Sequence, residues 1–568
     1  MKTEQLALFL ISPDSTVVEA MQRIDRNARG ILFVTNEQQK LLGVVTDGDI
    51  RRWLIRTGEL KAPVSGLMNT EPKRISRKEH AKAHEVMVQH SITALPVVTT
   101  KGVVSDILFR DEQVAKKKKP QGILKEVPVV IMAGGKGTRI QSIASDIPKP
   151  MIPIDGVPVL ERELCSLKEQ GFTDIIITVS YLGDVIKNYF GNGDKWGVNI
   201  EYYTEETPLG NAGALFKLRD RLTDDFLLLN ADAIFDVDFN RMVSFHKEKN
   251  ALVTLFTHPN SHPYDSGLII ADQNLAVQAW LTKEDKRPAY YKNRVNAGLH
   301  VISPQILDTV SVDAERIGIE NPDTGKICKV DLDRMLLKPL AGSGRMFCYD
   351  SPEYVKDMGT PERFYAVEKD YMAGRVTAKN LKNKQKAIFL DRDGTINKYV
   401  GFLRDIEQFE LLDGVTDAIK KINESGYLCI VVTNQPVIAR GEVTYEQLDE
   451  IHNKMETLLG LEGAYLDGIY ICPHHPHKGY EGEIPELKID CDCRKPKPGM
   501  LLRAAKDFNI DLQKSYMVGD SESDILAGKA AGCKTVLIGE DDYGQDYTTN
   551  SLLAFVKQEI DNNPESKK

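Results

Sequence analysis

One arrangement, which occurs twice, constrains the fold most: a short apolar run that ends directly in a loop of small and charged residues. Residues 127–133 (VPVVIMA) lead into GGKGTRI, and residues 387–390 (AIFL) lead into DRDGTIN. Short apolar runs are typical of strands buried on both faces of a parallel sheet. In open α/β sheets, ligands bind beyond the carboxyl ends of the strands. The sequence therefore predicts two α/β sheets, each with a site for a charged ligand.

Size and charge narrow the class of protein. The chain has 568 residues, enough for several domains, and its 42% hydrophobic and 27% charged residues are typical of a globular protein. Its formal net charge of −9 excludes a global positive field that would hold a nucleic acid or an anionic membrane. Apolar runs of membrane-spanning length and a signal-peptide pattern are missing from the sequence. We therefore expect a cytoplasmic protein without nucleic-acid or membrane partners.

Two polar segments are predicted to be linkers. Residues 113–126 contain four consecutive lysines followed by Pro120 and Gly122, and residues 376–386 are polar and basic. The predicted organisation is an α/β multidomain chain with blocks at 1–112, 127–375 and 387–556 and a polar tail at 557–568.

The first block contains a weak internal repeat. Residues 12–52 and 68–108 both have the pattern of a helix, a strand, a turn and a strand. Together with GVVTDGDIRR at residues 43–52, this resembles a tandem pair of CBS domains. The resemblance implies an adenine-nucleotide site with Thr46 and Asp49 at the ribose, although the second half is too short to repeat the motif. The alternative is a dimerising or spacer module without a ligand. A homo-oligomer is expected.

The glycine-rich loop at the start of the second block suits a triphosphate. Gly134, Gly135 and Gly137 let backbone N–H groups approach phosphate oxygens, and Lys136 and Arg139 add positive charge. Such a loop alone would also suit a dehydrogenase. The motifs DIPKPMIPI, EETPLGNAGAL, LLLNADAIF, NAGLHVIS and VKDMGTPERF follow in that order.

Together, these motifs resemble the sugar-phosphate nucleotidyltransferase family over nearly the whole block. The resemblance implies a Rossmann-like domain in which a sugar 1-phosphate attacks a nucleoside triphosphate, so that catalysis is mainly positioning and charge neutralisation. The basic contact to the sugar is either Lys283 or Lys286. The implied site residues are Gly134, Gly135, Gly137, Thr138 and Arg139 for the triphosphate, Lys149 for the reacting phosphates, Asp232 and Asp357 for Mg²⁺, Pro208, Gly210 and Gly213 for the base, and Asn296 and Gly298 for the sugar.

In the third block, Asp391 and Asp393 follow an apolar strand, where both carboxylates can reach one Mg²⁺. The motifs VVTNQ, RKPKPGM and MVGDSESD follow, and the set resembles the haloacid dehalogenase superfamily in all four motifs. The resemblance implies that Asp391 is a nucleophile forming an aspartyl-phosphate and that Asp393 is the general acid and base. Thr433 and Lys495 would bind the phosphoryl group, and Asp520 would complete the Mg²⁺ site with support from Asp524.

A cysteine-rich loop lies in the third block, between the VVTNQ and RKPKPGM motifs. Cys472, His474, Cys491 and Cys493 form a C-x-H and C-x-C set, which is sufficient for a closed tetrahedral zinc site. His475 and His477 compete with His474 for the single histidine position. A closed site leaves no position for water, so we interpret the zinc as structural.

This loop, with DRDGTIN, TNQ and CRKPKPGM, resembles the branch that contains heptose bisphosphate and histidinol-phosphate phosphatases. IARGEVT at residues 438–444 favours the heptose side, although Pro436 and Val437 replace the usual Ser-Gly. The candidate residues for binding a doubly phosphorylated sugar are Thr433, Asn434, Arg440, Arg494 and Lys495.

The three blocks together suggest two successive reactions. Removal of the 7-phosphate of D-glycero-D-manno-heptose 1,7-bisphosphate yields the heptose 1-phosphate that a nucleotidyltransferase needs, with GTP favoured by resemblance to heptose 1-phosphate guanylyltransferases. Mg²⁺ would serve both reactions. Two alternatives remain: a transferase for a hexosamine-type sugar phosphate fused to a phosphatase of other specificity, and a nucleotide-sensing scaffold with inactive catalytic blocks.

Overall fold

The structure is a computed structural model that describes residues 6, 8–27, 29–76, 86–87, 92–99, 101–109, 127–135, 140, 143, 147–260, 267–282, 284–309, 314–322 and 324–561. The chain forms two compact units, Met1–Gln121 and Gly122–Lys568. Within the described residues, no helix is both long enough and apolar enough to cross a bilayer.

The first unit contains the same sheet pattern twice. In each three-stranded sheet, the first strand runs parallel to the second and the second runs antiparallel to the third. The internal repeat of the sequence is therefore also a repeat of topology. The strands are β1 (Leu10–Ile11), β2 (Ile31–Thr35), β3 (Leu41–Thr46), β4 (Ile75–Ser76), β5 (Ala94–Val98) and β6 (Val104–Phe109), and the helices are α1 (Val17–Asn27) and α2 (Asp47–Thr57).

The second unit begins with a nine-stranded mixed sheet. Its order is β11-β10-β7-β12-β17-β14-β18, with β15 joined to β17 and β16 joined to β15. The strands are β7 (Val129–Met132), β10 (Asp174–Val179), β11 (Asn199–Thr204), β12 (Phe226–Asn230), β14 (Val253–His258), β15 (Leu268–Ala271), β16 (Val277–Leu281), β17 (Val295–Ile302) and β18 (Met346–Asp350).

Strand β7 explains why the run before the glycine-rich loop is continuously apolar. It lies between the parallel strands β10 and β12. Val129 and Ile131 pack into the core on one face of the sheet, and Val130 packs into the core on the other. A strand buried on both faces needs apolar residues at every position.

Among the described residues, two ribbons and seven α-helices also belong to this half. The ribbons are β8 (Pro153–Ile154) with β9 (Val157–Pro158) and β13 (Ala233–Asp236) with β19 (Tyr354–Asp357). The helices are α3 (Val159–Gln170), α4 (Gly183–Phe190), α5 (Gly213–Lys217), α6 (Phe239–Lys249), α7 (Ile306–Thr309), α8 (Pro361–Met372) and α9 (Arg375–Ala378).

The other half of this unit is built on a six-stranded sheet in which every pairing is parallel, in the order β22-β21-β20-β23-β24-β25. The carboxyl ends of β20, β21 and β23 therefore meet at one edge. The strands are β20 (Lys386–Leu390), β21 (Tyr427–Asn434), β22 (Gly468–Cys472), β23 (Tyr516–Gly519), β24 (Lys534–Ile538) and β25 (Tyr547–Thr549). The helices are α10 (Val415–Glu424), α11 (Pro436–Ala439), α12 (Tyr445–Leu461), α13 (Gly499–Asp507), α14 (Glu522–Ala531) and α15 (Leu552–Asp561).

The structure describes only one of the two segments that were predicted to be linkers. Residues 113–126 lie outside the described residues. Residues 376–386, by contrast, contact both halves of the second unit through Leu381. This residue is buried, its N–H donates to Glu353 Oε1 at 2.9 Å, and its carbonyl accepts from Asn509 Nδ2 at 3.0 Å. Helix α15 also continues into the predicted tail, where Glu559 accepts a hydrogen bond from Tyr516.

Candidate active sites

A cavity of about 710 Å³ opens at the carboxyl end of β7, where the sequence predicts the triphosphate. Six of the predicted residues line it: Gly134, Gly135, Lys149, Pro208, Gly210 and Asp232. Gly137, Thr138 and Arg139 lie outside the described residues. A seventh predicted residue, Gly213, begins α5, and a side chain there would come within 2.7 Å of Leu209 Cβ.

Lys149 and Asp232 line this cavity, and the other predicted metal aspartate, Asp357, is on the strand beside Asp232. Lys149 Nζ is 2.5 Å from Asp232 Oδ2. Asp357 faces Ala233 across the β13–β19 ribbon, and the N–H of Met358 donates to the carbonyl of Asp232. The Asp357 carboxylate accepts from Arg363 at 2.8 and 2.9 Å. Asp232 directly precedes β13, and Asp357 ends the paired strand β19. Each carboxylate is now neutralised by a basic side chain, and carboxylate oxygens are ligands that suit Mg²⁺.

The loop at residues 208–213 passes very close to a neighbouring segment. Gly210 has φ +84°, and a Cβ there would lie 2.3 Å from the carbonyl oxygen of Val330. Glycine is therefore required both by conformation and by space. Lys329, the residue before Val330, lines the cavity. No motif in the sequence marks it as a site residue.

The predicted sugar residues lie on β17, between two cavities. Asn296 borders a second cavity of about 330 Å³ together with Asp333 and Arg334. Gly298 has φ +77°, and a Cβ there would lie 2.6 Å from Asn230 Nδ2, which faces the larger cavity. Of the two candidate lysines, Lys283 lies outside the described residues and Lys286 is exposed.

In the third block, the parallel sheet brings Asp391, Lys495, Asp520 and Asp524 to one edge. Lys495 Nζ is 2.6 Å from Asp391 Oδ1 and 2.6 Å from Asp524 Oδ1, and it donates to the carbonyl of Val432 at 2.8 Å. Asp391, Asp520 and Asp524 each place a carboxylate oxygen within 4.8 Å of the others. Asp520 in turn requires a glycine at position 394, because a Cβ there would overlap its carboxylate.

The charges of this group suit a divalent cation. Burial, only partly offset by Lys495, raises the pKa of Asp391 to about 7. Burial and the neighbouring Asp524 raise the pKa of Asp520 to about 6. A hard cation bound by these oxygens would relieve the repulsion between them, so the residues fit Mg²⁺.

The position of the Asp393 side chain differs from the prediction. Among the described residues, its carboxylate is not part of the cluster formed by Asp391, Asp520 and Asp524. It accepts instead from Arg392, from Asn397 Nδ2 at 3.0 Å and from Gln435 Nε2 at 3.1 Å. Gln435 Nε2 also donates to Thr433 Oγ1 at 2.9 Å. Arg392 and Gln435 fall inside the DRDGT and TNQ motifs, so their positions were visible in the sequence but their roles were not.

The loop that carries Lys495 is held by a reciprocal pair of hydrogen bonds. Asn434 Nδ2 donates to the carbonyl of Lys495, and the N–H of Lys495 donates to Asn434 Oδ1, both at 3.0 Å. Asn434 therefore positions the lysine, in addition to any contact with a ligand.

Two further predicted cations lie close to the zinc loop. Arg440 is buried between the rings of Phe402 and Tyr480, with its guanidinium carbon 4.0 and 4.4 Å from the ring centroids. Its Nε has no hydrogen-bond partner among the described residues. Arg494 donates to the carbonyl of His474 at 3.2 Å.

The predicted zinc ligands converge. Cys472, His474, Cys491 and Cys493 lie with Sγ and Nδ1 atoms 3.2–3.7 Å apart. A tetrahedron with metal–sulfur bonds of about 2.3 Å has edges of about 3.7 Å, so the cluster fits zinc with little adjustment. Of the competing histidines, His475 instead directs Nδ1 to the carbonyl of His477 at 3.3 Å. All eight cysteines are free thiols.

In the first unit, Thr46 and Asp49 form the N-terminal cap of α2. The Thr46 hydroxyl donates to Asp49 Oδ2 at 2.6 Å, and the Thr46 N–H donates to the same oxygen at 2.9 Å. Asp49 Oδ1 accepts from Arg52 at 2.6 Å. This capping box explains locally why the TDGD stretch ends a strand and begins a helix.

Comparison with known proteins identifies the domains. Residues 128–374 match the nucleotidyl transferase family, residues 492–555 match the HAD-hydrolase-like family, and residues 6–56 match the CBS domain. The prediction that the chain contains these three domain classes is confirmed. The second half of the predicted CBS pair lies outside the matched range.

Curated relatives match the phosphatase part. The chain is 50% identical over 155 residues to the D-glycero-beta-D-manno-heptose-1,7-bisphosphate 7-phosphatase of Pasteurella multocida (strain Pm70), which covers 27% of this chain and 82% of that protein. It is 44% identical over 179 residues to the same enzyme of Yersinia pestis, covering 30% and 93%. Among solved structures, HddC from Yersinia pseudotuberculosis is 23% identical, covering 43% of this chain and 99% of that chain, with a TM-score of 0.35.

The fold and sites thus define a multidomain α/β enzyme with a nucleotidyltransferase domain and a HAD-like phosphatase domain. Through the latter, the chain belongs to the family of D-glycero-beta-D-manno-heptose-1,7-bisphosphate 7-phosphatases.

Proposed function

We propose that this chain catalyses two successive steps toward a nucleotide-activated heptose. Its phosphatase domain removes the 7-phosphate of D-glycero-D-manno-heptose 1,7-bisphosphate, and its nucleotidyltransferase domain joins the resulting heptose 1-phosphate to GMP from GTP, with release of pyrophosphate. The observation that carries the proposal is the presence of a nucleotidyltransferase domain in the same chain as a phosphatase 50% identical to a heptose bisphosphate phosphatase.

In the phosphatase step, Asp391 attacks the 7-phosphate and forms an aspartyl-phosphate, while Asp393 protonates the departing sugar oxygen. Asp393 then takes a proton from water, whose oxygen attacks the phosphorus and frees Asp391. Thr433 and Lys495 bind the phosphoryl oxygens. Mg²⁺ at Asp391 and Asp520, beside Asp393, would neutralise phosphate charge. The 2.6 Å contact between Lys495 and Asp391 supports this assignment.

Arg440 and Arg494 are proposed to bind the phosphate at the far end of the sugar, with Asn434 orienting the Lys495 loop. The buried guanidinium Nε of Arg440 supports this role, because it has no hydrogen-bond partner within the described ranges and so offers a donor to an anionic ligand. Zinc held by Cys472, His474, Cys491 and Cys493 is proposed to be structural, since it would fix the loop that carries Arg494.

In the nucleotidyl transfer step, the backbone of Gly134, Gly135, Gly137 and Thr138, with Arg139, binds the triphosphate, and Lys149 contacts the reacting phosphates. Pro208, Gly210 and Gly213 border the base, and Asn296 and Gly298 border the sugar. Mg²⁺ at Asp232 and Asp357 would neutralise the phosphates. The common cavity of six of these residues supports the assignment.

The first unit is proposed to bind an adenine nucleotide at Thr46 and Asp49 and to support a homo-oligomer. The domains are proposed to divide at the predicted positions, except that the phosphatase domain extends to Asp561 with helix α15. The matching CBS domain at residues 6–56 supports a nucleotide-responsive module.

The test uses the purified full chain with Mg²⁺, each anomer of heptose 1,7-bisphosphate, and each nucleoside triphosphate in turn. The proposal expects phosphate release first, followed by pyrophosphate release with GTP favoured. The preferred anomer and base are read from the same assay. Release of phosphate from hexosamine phosphates but from neither heptose anomer would reject the heptose assignment.

A further inference from the structure

Arg392, the residue directly after the proposed nucleophile, is entirely buried and binds the neighbouring Asp393. Its side chain is 0% exposed. Nη2 donates to Asp393 Oδ1 and Oδ2 at 2.9 and 2.7 Å, and Nε donates to Oδ1 at 3.2 Å. A planar guanidinium that binds both oxygens of a carboxylate fixes the orientation of the carboxylate plane.

The other side chains that donate to Asp393 in the described part of the chain are neutral amides. Asn397 Nδ2 donates to Oδ1, and Gln435 Nε2 donates to Oδ2 while also bonding Thr433. A neutral amide holds a carboxylate less strongly than a guanidinium does. The Asn397 and Gln435 contacts are therefore the ones that a leaving-group oxygen or an attacking water can replace, while Arg392 stays in place.

His452, on helix α12, holds the far side of this guanidinium. Arg392 Nη1 lies 3.2 Å from His452 Nε2. Because a guanidinium only donates, Nε2 accepts and the ring proton is on Nδ1. Burial, together with the positive charges of Arg392 and Lys292, lowers the pKa of His452 well below its ordinary value. The imidazole stays neutral and keeps its lone pair for Arg392.

Helix α12 is itself held by the nucleotidyltransferase half. Glu456, one turn beyond His452, accepts from the N–H of Asn293 at 2.7 Å. Thr457 accepts from the N–H of Tyr291 at 2.9 Å and donates to its carbonyl at 3.1 Å. A shift of the helix along its axis would break these backbone contacts, so His452 is anchored.

We propose that Arg392, held by His452, is the positioning residue that orients the Asp393 carboxylate for proton transfer, a role that rests on the phosphatase function proposed above. The phosphatase site is therefore supported by a chain of contacts that begins in the nucleotidyltransferase half of the molecule.

Three variants of the full chain test this role. His452→Leu removes the acceptor for Arg392, and His452→Gln offers an amide oxygen in its place. Met455→Leu changes another buried residue of the same helix, which lies in the apolar core and outside these hydrogen bonds. Phosphate release is measured with p-nitrophenyl phosphate and with heptose bisphosphate, and pyrophosphate release reports on the integrity of the other half.

His452→Leu is expected to lower the steady-state kcat on both substrates about ten- to a hundredfold. With p-nitrophenyl phosphate the KM should fall in parallel, because only the second step is slowed and kcat/KM is set by the first. The reason is that Asp393 must deprotonate water in the second step for every substrate. The single-turnover release of nitrophenolate should stay at the wild-type rate, because this leaving group departs without protonation. His452→Gln should recover most of the kcat, and Met455→Leu should resemble the wild type.

The proposal is overturned if nitrophenolate release slows in parallel with turnover, which would indicate a general distortion of the site. It is also overturned if His452→Gln performs no better than His452→Leu, or if His452→Leu keeps the wild-type kcat. p-Nitrophenyl phosphate reports on Asp393 whatever the natural sugar is, so a failed heptose assignment would be seen separately.

Discussion

Lys495 forms a buried ion pair with Asp391, with Nζ and Oδ1 2.6 Å apart, although 104 positions separate the two residues in the chain. The same ammonium group reaches Asp524. Because strands β20 and β21 are parallel neighbours, the loop anchored to β21 by Asn434 is delivered to the end of β20. The nucleophile therefore has a permanent cationic neighbour where a phosphoryl group would bind.

The two activities should be separable by single substitutions. Asp391→Asn should lower phosphate release from the bisphosphate by more than about a thousandfold, because an amide is not a nucleophile here. Pyrophosphate release from added heptose 1-phosphate should persist. Lys149→Ala should have the reciprocal effect, because Lys149 lies in the other cavity. Loss of both activities in either variant would contradict two independent sites.

Glycine at position 135 should matter for binding rather than for folding. Its backbone is outside the left-handed region and a Cβ would meet nothing within 4 Å, so Gly135→Ala should leave the Tm unchanged. If the triphosphate approaches this backbone, the added methyl should raise the KM for triphosphate about tenfold. Gly426→Ala is the matched control, since it is equally open but lies in the phosphatase half. Equal KM values in both variants would place the triphosphate elsewhere.

Arg440 should act through its planar shape as well as its charge. Arg440→Lys keeps the charge but loses the stacking between Phe402 and Tyr480. We expect the KM for the bisphosphate to rise about tenfold, with p-nitrophenyl phosphate turnover unchanged, because only the bisphosphate has a second phosphate. Arg404→Lys, at an exposed ion pair with Glu442, is the control. A parallel loss on both substrates would assign Arg440 to loop stability.

Zinc should support stability. Cys493→Ser should lower the Tm of the phosphatase half by about 10 °C and reduce bound zinc, measured by atomic emission, from about one equivalent per chain. Cys165→Ser, at an exposed cysteine far from the cluster in sequence, should change neither. Full zinc content in Cys493→Ser would contradict the assigned ligand set.

Glu353 should make stability depend on pH. Burial raises its pKa from 4.5 to about 7. The folded chain therefore holds this proton between these values while the unfolded chain has lost it, so the contribution is present in full below pH 4.5 and is lost as the pH rises to about 7. Glu353→Gln can keep the contacts to Asp238, Leu381 and Ser351. It should stabilise the chain at pH 8 by about 2–3 kcal/mol, measured by urea unfolding, and a gain that is equal at pH 5 would contradict this account.

Much of the fold could be read from the sequence, because its signals are local. The continuous apolar runs of β7 and β20 predict buried strands, since residues next to each other in a strand face opposite sides of a sheet that is covered on both. Gly210 and Gly394 are two further local signals. Both positions have a positive φ, and neighbouring atoms leave no room there for a side chain, so only glycine fits. The short motifs are also local signals, and their order along the chain identified the three domain classes.

Tertiary structure alone decided which atoms meet. Nothing local to residues 376–386 shows that Leu381 is bonded to both halves, because its partners Glu353 and Asn509 come from distant segments. Sequence left three histidines open at the zinc loop, and backbone geometry brings His474 to the thiols. The DxD spacing predicted two carboxylates on one ion, but Asp393 is bound by the guanidinium of Arg392. That guanidinium is in turn held by the imidazole of His452, 60 positions further along the chain. Patterns within a segment determine its local conformation, whereas hydrogen bonds between distant side chains depend on how the sheets and helices pack.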